Sequence, residues 1–157
     1  MKKSILTEDW TVVLLGFLII GLALIGIKIP SPSFGWESTS DLSEKVLTAG
    51  NLVKLAQIFV LTYVIALLAA SVLGKSVAGT AKGFPIVFVL TSLALVLAGN
   101  AFLKNWNLEA VIFSLSIGLL LSNFFSLPAW LTETLSTELF VKIGLILLGT
   151  SVIFGDI

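Results

Sequence analysis

Long apolar runs separated by short polar connections dominate the pattern of this chain. Five runs carry almost no charge in their interiors, and each is close to the ~20 residues that a helix needs to cross a hydrocarbon core of ~30 Å. They predict membrane-spanning helices over residues 10–27, 55–73, 84–103, 110–127 and 139–154. The sequence therefore predicts an all-α, polytopic membrane protein with one transmembrane helical domain over residues 1–157.

The composition agrees with a lipid environment. Hydrophobic residues make up 57% of the chain, and its mean hydropathy is +1.12. Charged residues make up only 11%, whereas a soluble domain carries about 25%. The net charge of zero gives no basic field that would indicate nucleic-acid binding. We therefore expect the lipid bilayer, and no nucleic acid, as a partner.

The residue types also limit the chemistry. There is no cysteine and no histidine, which removes disulfides, thiol chemistry and the usual zinc and haem ligands. All nine cations are lysines, so this chain has no guanidinium for bidentate recognition of an anion. No Ser/His/Asp set and no phosphate-binding glycine loop is present. We expect a protein that is not an enzyme and that holds no cofactor or metal.

Residues 28–51 form the longest and most polar connection. Ser40 or Asp41, followed by Glu44, is typical of a helix start. A short helix on the membrane surface and a solvated loop are both open here. Further along, Pro85 is expected in the first turn of the third span, and Asn107 is expected to cap the fourth.

Small residues recur at a spacing of four in two of the predicted spans. In lipid, helices pack through small residues that let their backbones approach closely. Packing is therefore expected for both stripes, which consist of Thr62, Ala66, Ala70 and Gly74 in one span and Ser114, Gly118 and Ser122 in the other. The second stripe has an alternative interpretation as the lining of a path for a solute, because two of its members carry hydroxyl groups.

Three polar residues that are expected to lie in or near the hydrocarbon core of the bilayer are candidates for substrate binding. Ser122 and Asn123 precede the sequence Phe-Phe-Ser-Leu-Pro, which is typical of a helix that unwinds. Transporters use the free N–H and C=O groups of broken helices to hold ions. Lys142 is the one ionisable residue clearly inside a predicted span. It either reaches toward water and pairs with Glu138, or supplies positive charge to an anionic substrate.

The last third of the chain resembles the sulfate exporter family of bacterial inner-membrane proteins. The resemblance lies in Asn-Leu-Glu-Ala at 107–110, Gly-Leu-Leu-Leu-Ser-Asn at 118–123, Leu-Pro at 127–128, and the stretch 138–149 with its lysine before Gly-Leu-Ile-Leu-Leu-Gly. It implies a transporter, and it implies that this chain is an N-terminal part, because family members are longer. Ser122 stands where the family pattern leads us to expect glycine.

The expected function is secondary transport of a small anion, sulfate-like or organic, across the bacterial inner membrane. The alternative is a non-transporting membrane protein that serves assembly or interaction. With five spans, residue 157 would lie on the opposite side of the membrane from residue 1. A second homologous unit would then insert with the inverted orientation, as in inverted-repeat transporters. We expect a missing C-terminal half or a second copy of the chain to complete the site. Lys75 and Lys82 in one short loop favour a cytoplasmic N-terminus.

Overall fold

A computed structural model describes residues 7–24, 31–128 and 131. Within these residues the chain is helical, with a single isolated bridge between Trp36 and Asn100. The helices are α1 (Glu8–Leu24), α2 (Thr39–Asp41) with a π-helical turn (Leu42–Val46), α3 (Ala49–Val72), α4 (Val77–Ala98), α5 (Ala101–Asn105) and α6 (Ala110–Phe124). The all-α prediction is confirmed. The predicted fifth span, with Lys142, lies outside the described residues.

Two of the described helices, α3 and α4, are long and apolar enough to cross a membrane. Shorter apolar stretches occupy Asp9–Gly21 in α1 and Ala110–Phe124 in α6. These helices expose many large apolar side chains, which is the pattern of helices surrounded by lipid or by further protein rather than by water. The chain is a helical membrane protein, and the count of five spans stays a prediction.

The helices pack side by side in the order α1, α3, α4 and α6. Leu15 and Ile19 of α1 form a buried cluster with Ile65 and Ala69 of α3. Ala69 has no exposed surface at all, because a small side chain lets the two backbones approach closely. The helix α3 therefore lies between α1 and α4, and α4 lies between α3 and α6.

Four aromatic rings fill the interface between α3 and α4. The ring of Phe59 stacks on that of Tyr63 at 5.4 Å and meets the edge of Phe88 at 5.0 Å. Phe84 completes the cluster, with its ring 5.8 Å from that of Tyr63. Offset and edge-to-face pairs of this kind add about 0.5–1.5 kcal/mol each beyond the burial of their area. This cluster fixes the two long helices against each other.

The predicted start of the third span was wrong. The helix α4 begins at Val77, because the hydroxyl of Ser76 accepts a hydrogen bond from the Gly79 N–H at 3.1 Å and caps it there. Pro85 therefore lies inside the helix rather than in its first turn. Proline has no N–H to donate to the carbonyl four residues earlier, which is that of Ala81. The Tyr63 hydroxyl donates to that carbonyl oxygen at 3.3 Å.

The other end of this span also differs from the prediction. The helix α4 ends at Ala98, and the Asn100 side chain caps a separate short helix, α5, by accepting hydrogen bonds from the N–H groups of Phe102 and Leu103. Asn107 does not cap α6 as expected. It adopts a left-handed conformation with φ 54°, and the capping position falls on Glu109.

Residues 39–46 of the polar connection before α3 are helical, and the position of this short helix on the membrane surface stays a prediction. Ser38 caps α2 two residues before the expected start, by accepting from the Asp41 N–H at 3.2 Å. The Lys45 ammonium lies 2.7 Å from the Asp41 carboxylate. The hydrogen bond from Lys45 lowers the pKa of Asp41, and the same bond raises the pKa of Lys45. The pair stabilises this helix while the carboxylate is ionised, and its contribution is lost as the pH falls through the lowered pKa of Asp41.

Replacing Tyr63 with phenylalanine removes the donor that compensates for Pro85 while keeping the aromatic ring. We expect the free energy of unfolding to fall by about 0.5–1.5 kcal/mol, the net value of one hydrogen bond. Thermal unfolding in detergent measures the change. The double variant Tyr63→Phe, Pro85→Ala is the control, because the alanine introduced at position 85 restores an N–H that can bond the Ala81 carbonyl. An equal loss of stability in the single and double variants would contradict this assignment.

The bridge between Trp36 and Asn100 places the connection before α3 and the connection after α4 at the same end of the molecule. Single cysteines at Ser40 and Asn105, both exposed, should therefore be labelled from the same side of the membrane. A cysteine at the exposed Ala78 should be labelled from the opposite side. With the N-terminus cytoplasmic, an impermeant thiol reagent outside intact cells reacts at positions 40 and 105 only. Reaction at 78 alone would reverse the orientation, and reaction at all three would contradict the topology.

Candidate functional site

The face of α6 that carries the second small-residue stripe lies against α4. Ser114 and Gly118 border a cavity of about 230 Å³, whose opposite wall includes Val87, Leu90 and Thr91 of α4. These residues lie near the middle of both helices. We call this contact between α4 and α6 the seam. It brings Ser114 and Thr91, both exposed among the described residues, to the edge of one small and mainly apolar cavity between the two helices.

A second cavity, of about 580 Å³, opens at the end of the seam where α4 ends and α6 begins. We call it the vestibule. Its walls include Leu95 of α4 and Ala110 of α6, together with the charged residues Lys104 and Glu109. Ala110 is four residues before Ser114 and eight before Gly118, so the same face of α6 borders both cavities. The vestibule and the seam cavity follow each other along one helix face.

Ser122 and Asn123 lie at the other end of the seam helix. Both side chains are exposed, and both donate to the carbonyl oxygen of Leu119, at 3.2 Å and 2.9 Å. The helix ends at Phe124, and Phe125 is extended with φ −126° and ψ 131°. The backbone therefore leaves the helix directly after the two polar residues. The substrate-binding role of Ser122, Asn123 and Lys142 stays a prediction, since Lys142 lies outside the described residues.

The two small-residue stripes have different surroundings. On α3, Ala66 and Ala70 are buried to 2% exposure. Thr62 donates to the Ile58 carbonyl of its own helix at 2.7 Å. Gly74 has φ 67°, a left-handed conformation that follows the end of α3.

On α6, a Cβ atom added to Gly118 would meet no heavy atom within 4 Å among the described residues. Ser114 is exposed, and its hydroxyl donates to the Val111 carbonyl at 2.9 Å. Gly118 therefore borders open space rather than a closely packed backbone in this part of the chain.

A short segment covers one side of the vestibule. Residues 33–36, which we call the strap, contribute Phe34 and Gly35 to its wall. The strap is bonded to the end of α4 by Trp36. The Trp36 N–H donates to the Gly99 carbonyl at 3.1 Å, and the indole N–H donates to the Val96 carbonyl at 2.7 Å. The Gly99 carbonyl is one of those that the end of a helix leaves without an intrahelical partner, and the Val96 carbonyl accepts from the indole in addition to the Gly99 N–H at 3.2 Å.

The other edge of the strap is bonded to the first turn of α3. Asn51 is 8% exposed. Its side-chain oxygen accepts from the Ser33 N–H at 2.7 Å, and its amide nitrogen donates to the Ser33 and Val46 carbonyls, both at 2.8 Å. A buried amide with three bonds of this length holds the backbone at Ser33 in one position.

Sequence reasoning missed Thr91, Asn51 and the strap. Thr91 is a single hydroxyl within a long apolar run, and nothing in the pattern distinguishes it from the neighbouring Ser92. Ser92 donates to the carbonyl of Phe88 in its own helix at 2.8 Å. Asn51 and Trp36 act across distances of eighteen and sixty residues along the chain. No local pattern could have assigned a partner to the indole at position 36.

The known proteins that are similar in sequence to this chain are named as membrane proteins. The chain is 38% identical over 82 residues to a UPF0324 membrane protein of Rhodopirellula baltica. It is 33% and 31% identical over 85 residues to two UPF0324 membrane proteins of Nitratidesulfovibrio vulgaris. These segments cover 52–54% of this chain and 15% of each relative's length. No family model matches the chain, and no solved structure matches it.

Proposed function

We propose that this chain is the path-forming part of a secondary transporter that moves a small anion across the bacterial inner membrane. The observation that carries the proposal is the face of α6 that borders both the vestibule and the seam cavity. A face used only for packing would be filled along its length, because helices in lipid associate through close contact of small residues. This face instead borders two cavities in series, with Ser114 and Thr91 at the edge of the inner one.

The polar groups along the seam suit weak and transient binding of an anion rather than tight binding. Thr91 carries a hydroxyl group beside the seam cavity, and Asn123 carries a second amide N–H at the far end of α6, whereas the Ser114 hydroxyl donates its hydrogen to the Val111 carbonyl. Neutral donors solvate an anion without the strong attraction of a full charge, so release stays fast. Lys104 lies at the vestibule, where a cation raises the local concentration of anions. Glu109 borders the same cavity, and its negative charge repels anions, divalent anions most strongly.

The path needs more protein than the described helices. Phe124 and Val111 on α6 are 77% and 70% exposed among the described residues, and α6 has no buried residue there. The chain matches only 15% of the length of each relative. We propose that a second unit, either the rest of a longer protein or another copy of this chain, packs against α6 and closes the seam. Lys142 would then add a positive charge to the completed site.

Filling the seam cavity at Gly118 tests this proposal. Gly118→Leu places a side chain into open space, so stability should stay unchanged or rise. We expect anion flux through the complete gene product in proteoliposomes to fall at least about tenfold, because the added atoms occupy a cavity of about 230 Å³. Ser116→Leu is the matched control, since Ser116 is an exposed residue on the same helix that does not border the cavity. Wild-type flux in a correctly folded Gly118→Leu protein would exclude the seam cavity from the path, and an absence of anion flux in the wild-type protein would favour the alternative, a non-transporting membrane protein.

The polar end of α6 provides an independent test. Asn123 donates within its own helix and is exposed, so Asn123→Ala should change the free energy of unfolding by no more than about 0.5 kcal/mol, as at other exposed positions. If the side chain binds substrate, the KM for the anion rises while expression and unfolding stay as in the wild type. Flux and unfolding measured on the same preparation separate the two effects. Unchanged flux kinetics would remove Asn123 from the site.

A further inference from the structure

We infer that the vestibule is a recognition site for a small organic zwitterion, a molecule that carries one anionic group and one ammonium group. Lys104 binds the anionic group, and Glu109 binds the ammonium group. The inference rests on the proposed function and narrows its substrate class, because it names the kind of anion that enters the path. The size of the vestibule suits this role, since its volume of about 580 Å³ lies within the ~300–1,000 Å³ of small-molecule sites.

Two opposite charges border the same cavity without neutralising each other. Lys104 and Glu109 both line the vestibule, and neither forms an ion pair with another described residue. Both side chains are exposed, so a solute that enters the cavity reaches them. A ligand with two opposite charges can contact both residues at once, whereas a simple anion gains from the lysine alone.

A closed turn fixes the backbone at the two charged residues. Lys104 lies in the last turn of α5, and Glu109 occupies the capping position of α6. Between them, the Asn107 N–H donates to the Lys104 carbonyl at 2.9 Å, and the Leu108 N–H donates to the Leu103 carbonyl at 3.1 Å. These bonds, with Asn107 in the left-handed conformation at φ 54°, form the Schellman arrangement that ends many helices. Binding therefore does not have to order this backbone.

Another wall of the vestibule is fixed as well. Phe34 and Gly35 of the strap line it, and hydrogen bonds with Asn51 on one side and from Trp36 on the other hold the strap in place. Gly99 lines the same cavity, and a Cβ atom on it would overlap the carbonyl oxygen of Phe34. The strap therefore lies directly against the end of α4. The cavity is formed before a ligand enters it, which lowers the cost of binding.

The charge balance of the vestibule distinguishes the two classes of anion expected for the path. For a divalent anion such as sulfate, attraction to Lys104 is opposed by repulsion from Glu109, and both energies scale with the charge of the anion. The two residues together carry no net charge, so sulfate gains little. A zwitterion gains from both residues, because its ammonium group is attracted to the carboxylate. The vestibule therefore favours an amino-substituted organic anion over a sulfate-like one.

A matched pair of ligands tests the ammonium contact. β-Alanine and propionate share one carbon skeleton, and only β-alanine carries an ammonium group. Ligand-observed NMR titrations of the complete gene product in detergent, at low ionic strength, measure both affinities, and sulfate is added as a competitor. We expect β-alanine to bind about two- to fivefold more tightly than propionate, as one exposed ion pair allows, and more tightly than sulfate. Equal affinities of the two carboxylates, tighter binding of sulfate, or no binding of β-alanine would overturn the inference.

Single substitutions assign each contact. Glu109→Gln removes the negative charge at nearly constant size, so β-alanine should lose its advantage while propionate binds as before or more tightly. Lys104→Gln should weaken the binding of both. Glu44→Gln and Lys54→Gln are the controls, because these exposed residues do not line the vestibule. An unchanged preference for β-alanine in Glu109→Gln with wild-type unfolding, or an equal loss in Glu44→Gln, would contradict the site.

Failure of the vestibule site and failure of the path give different results. A preference for β-alanine that Glu109→Gln abolishes supports the site even when flux through Gly118→Leu equals that of the wild type, and in that case only the seam path is lost. Slower flux in Gly118→Leu, together with equal binding of β-alanine and propionate, keeps the path and removes the zwitterion site. Binding and flux measured on the same preparations therefore separate the two proposals.

Discussion

The requirement that backbone N–H and C=O groups find partners inside a lipid environment governs this structure. Water is absent from the hydrocarbon region, so each unsatisfied group there is expensive. At two interruptions among the described helices, another part of the chain supplies a bond that the helix cannot make. The hydroxyl of Tyr63 donates to the carbonyl that Pro85 leaves without its usual donor. The Trp36 N–H does the same for the Gly99 carbonyl directly after α4.

These compensating bonds lie in different surroundings. The bond from Tyr63 lies within an aromatic cluster between two long helices, where separation would cost packing as well as the bond. The bonds from Trp36 lie beside a cavity at the end of the bundle. Both the Tyr63 and the indole hydrogen bond are partly buried, so the same type of interaction supports a helix interior in one place and a helix end in the other.

The seam between α4 and α6 shows that one pattern of small residues can have two different surroundings. Small residues at a spacing of four produce a flat face. On α3 the corresponding residues Ala66 and Ala70 are buried. On α6 the face borders cavities, because Gly118 meets no neighbour within 4 Å in the described part of the chain. The sequence pattern is the same in both helices, and only the position of the neighbouring helix distinguishes a packed face from an open one.

The apolar runs by themselves determined the class of this protein, its helical content and the approximate place of the helices α1, α3, α4 and α6, because hydropathy and length are properties of a single segment. They ended the fourth span at residue 127, next to a proline that disfavours helix at the residue before it, whereas α6 ends at Phe124. Only the structure decided that Pro85 lies inside a helix, that Asn100 begins a new one, and that residues 33–36 rest on Gly99. Two of these features involve a partner far away in sequence, because Tyr63 donates to the Ala81 carbonyl that Pro85 leaves and Trp36 donates to the Val96 carbonyl close to Gly99. A local pattern carries no information about the donor that a distant residue brings to a broken helix.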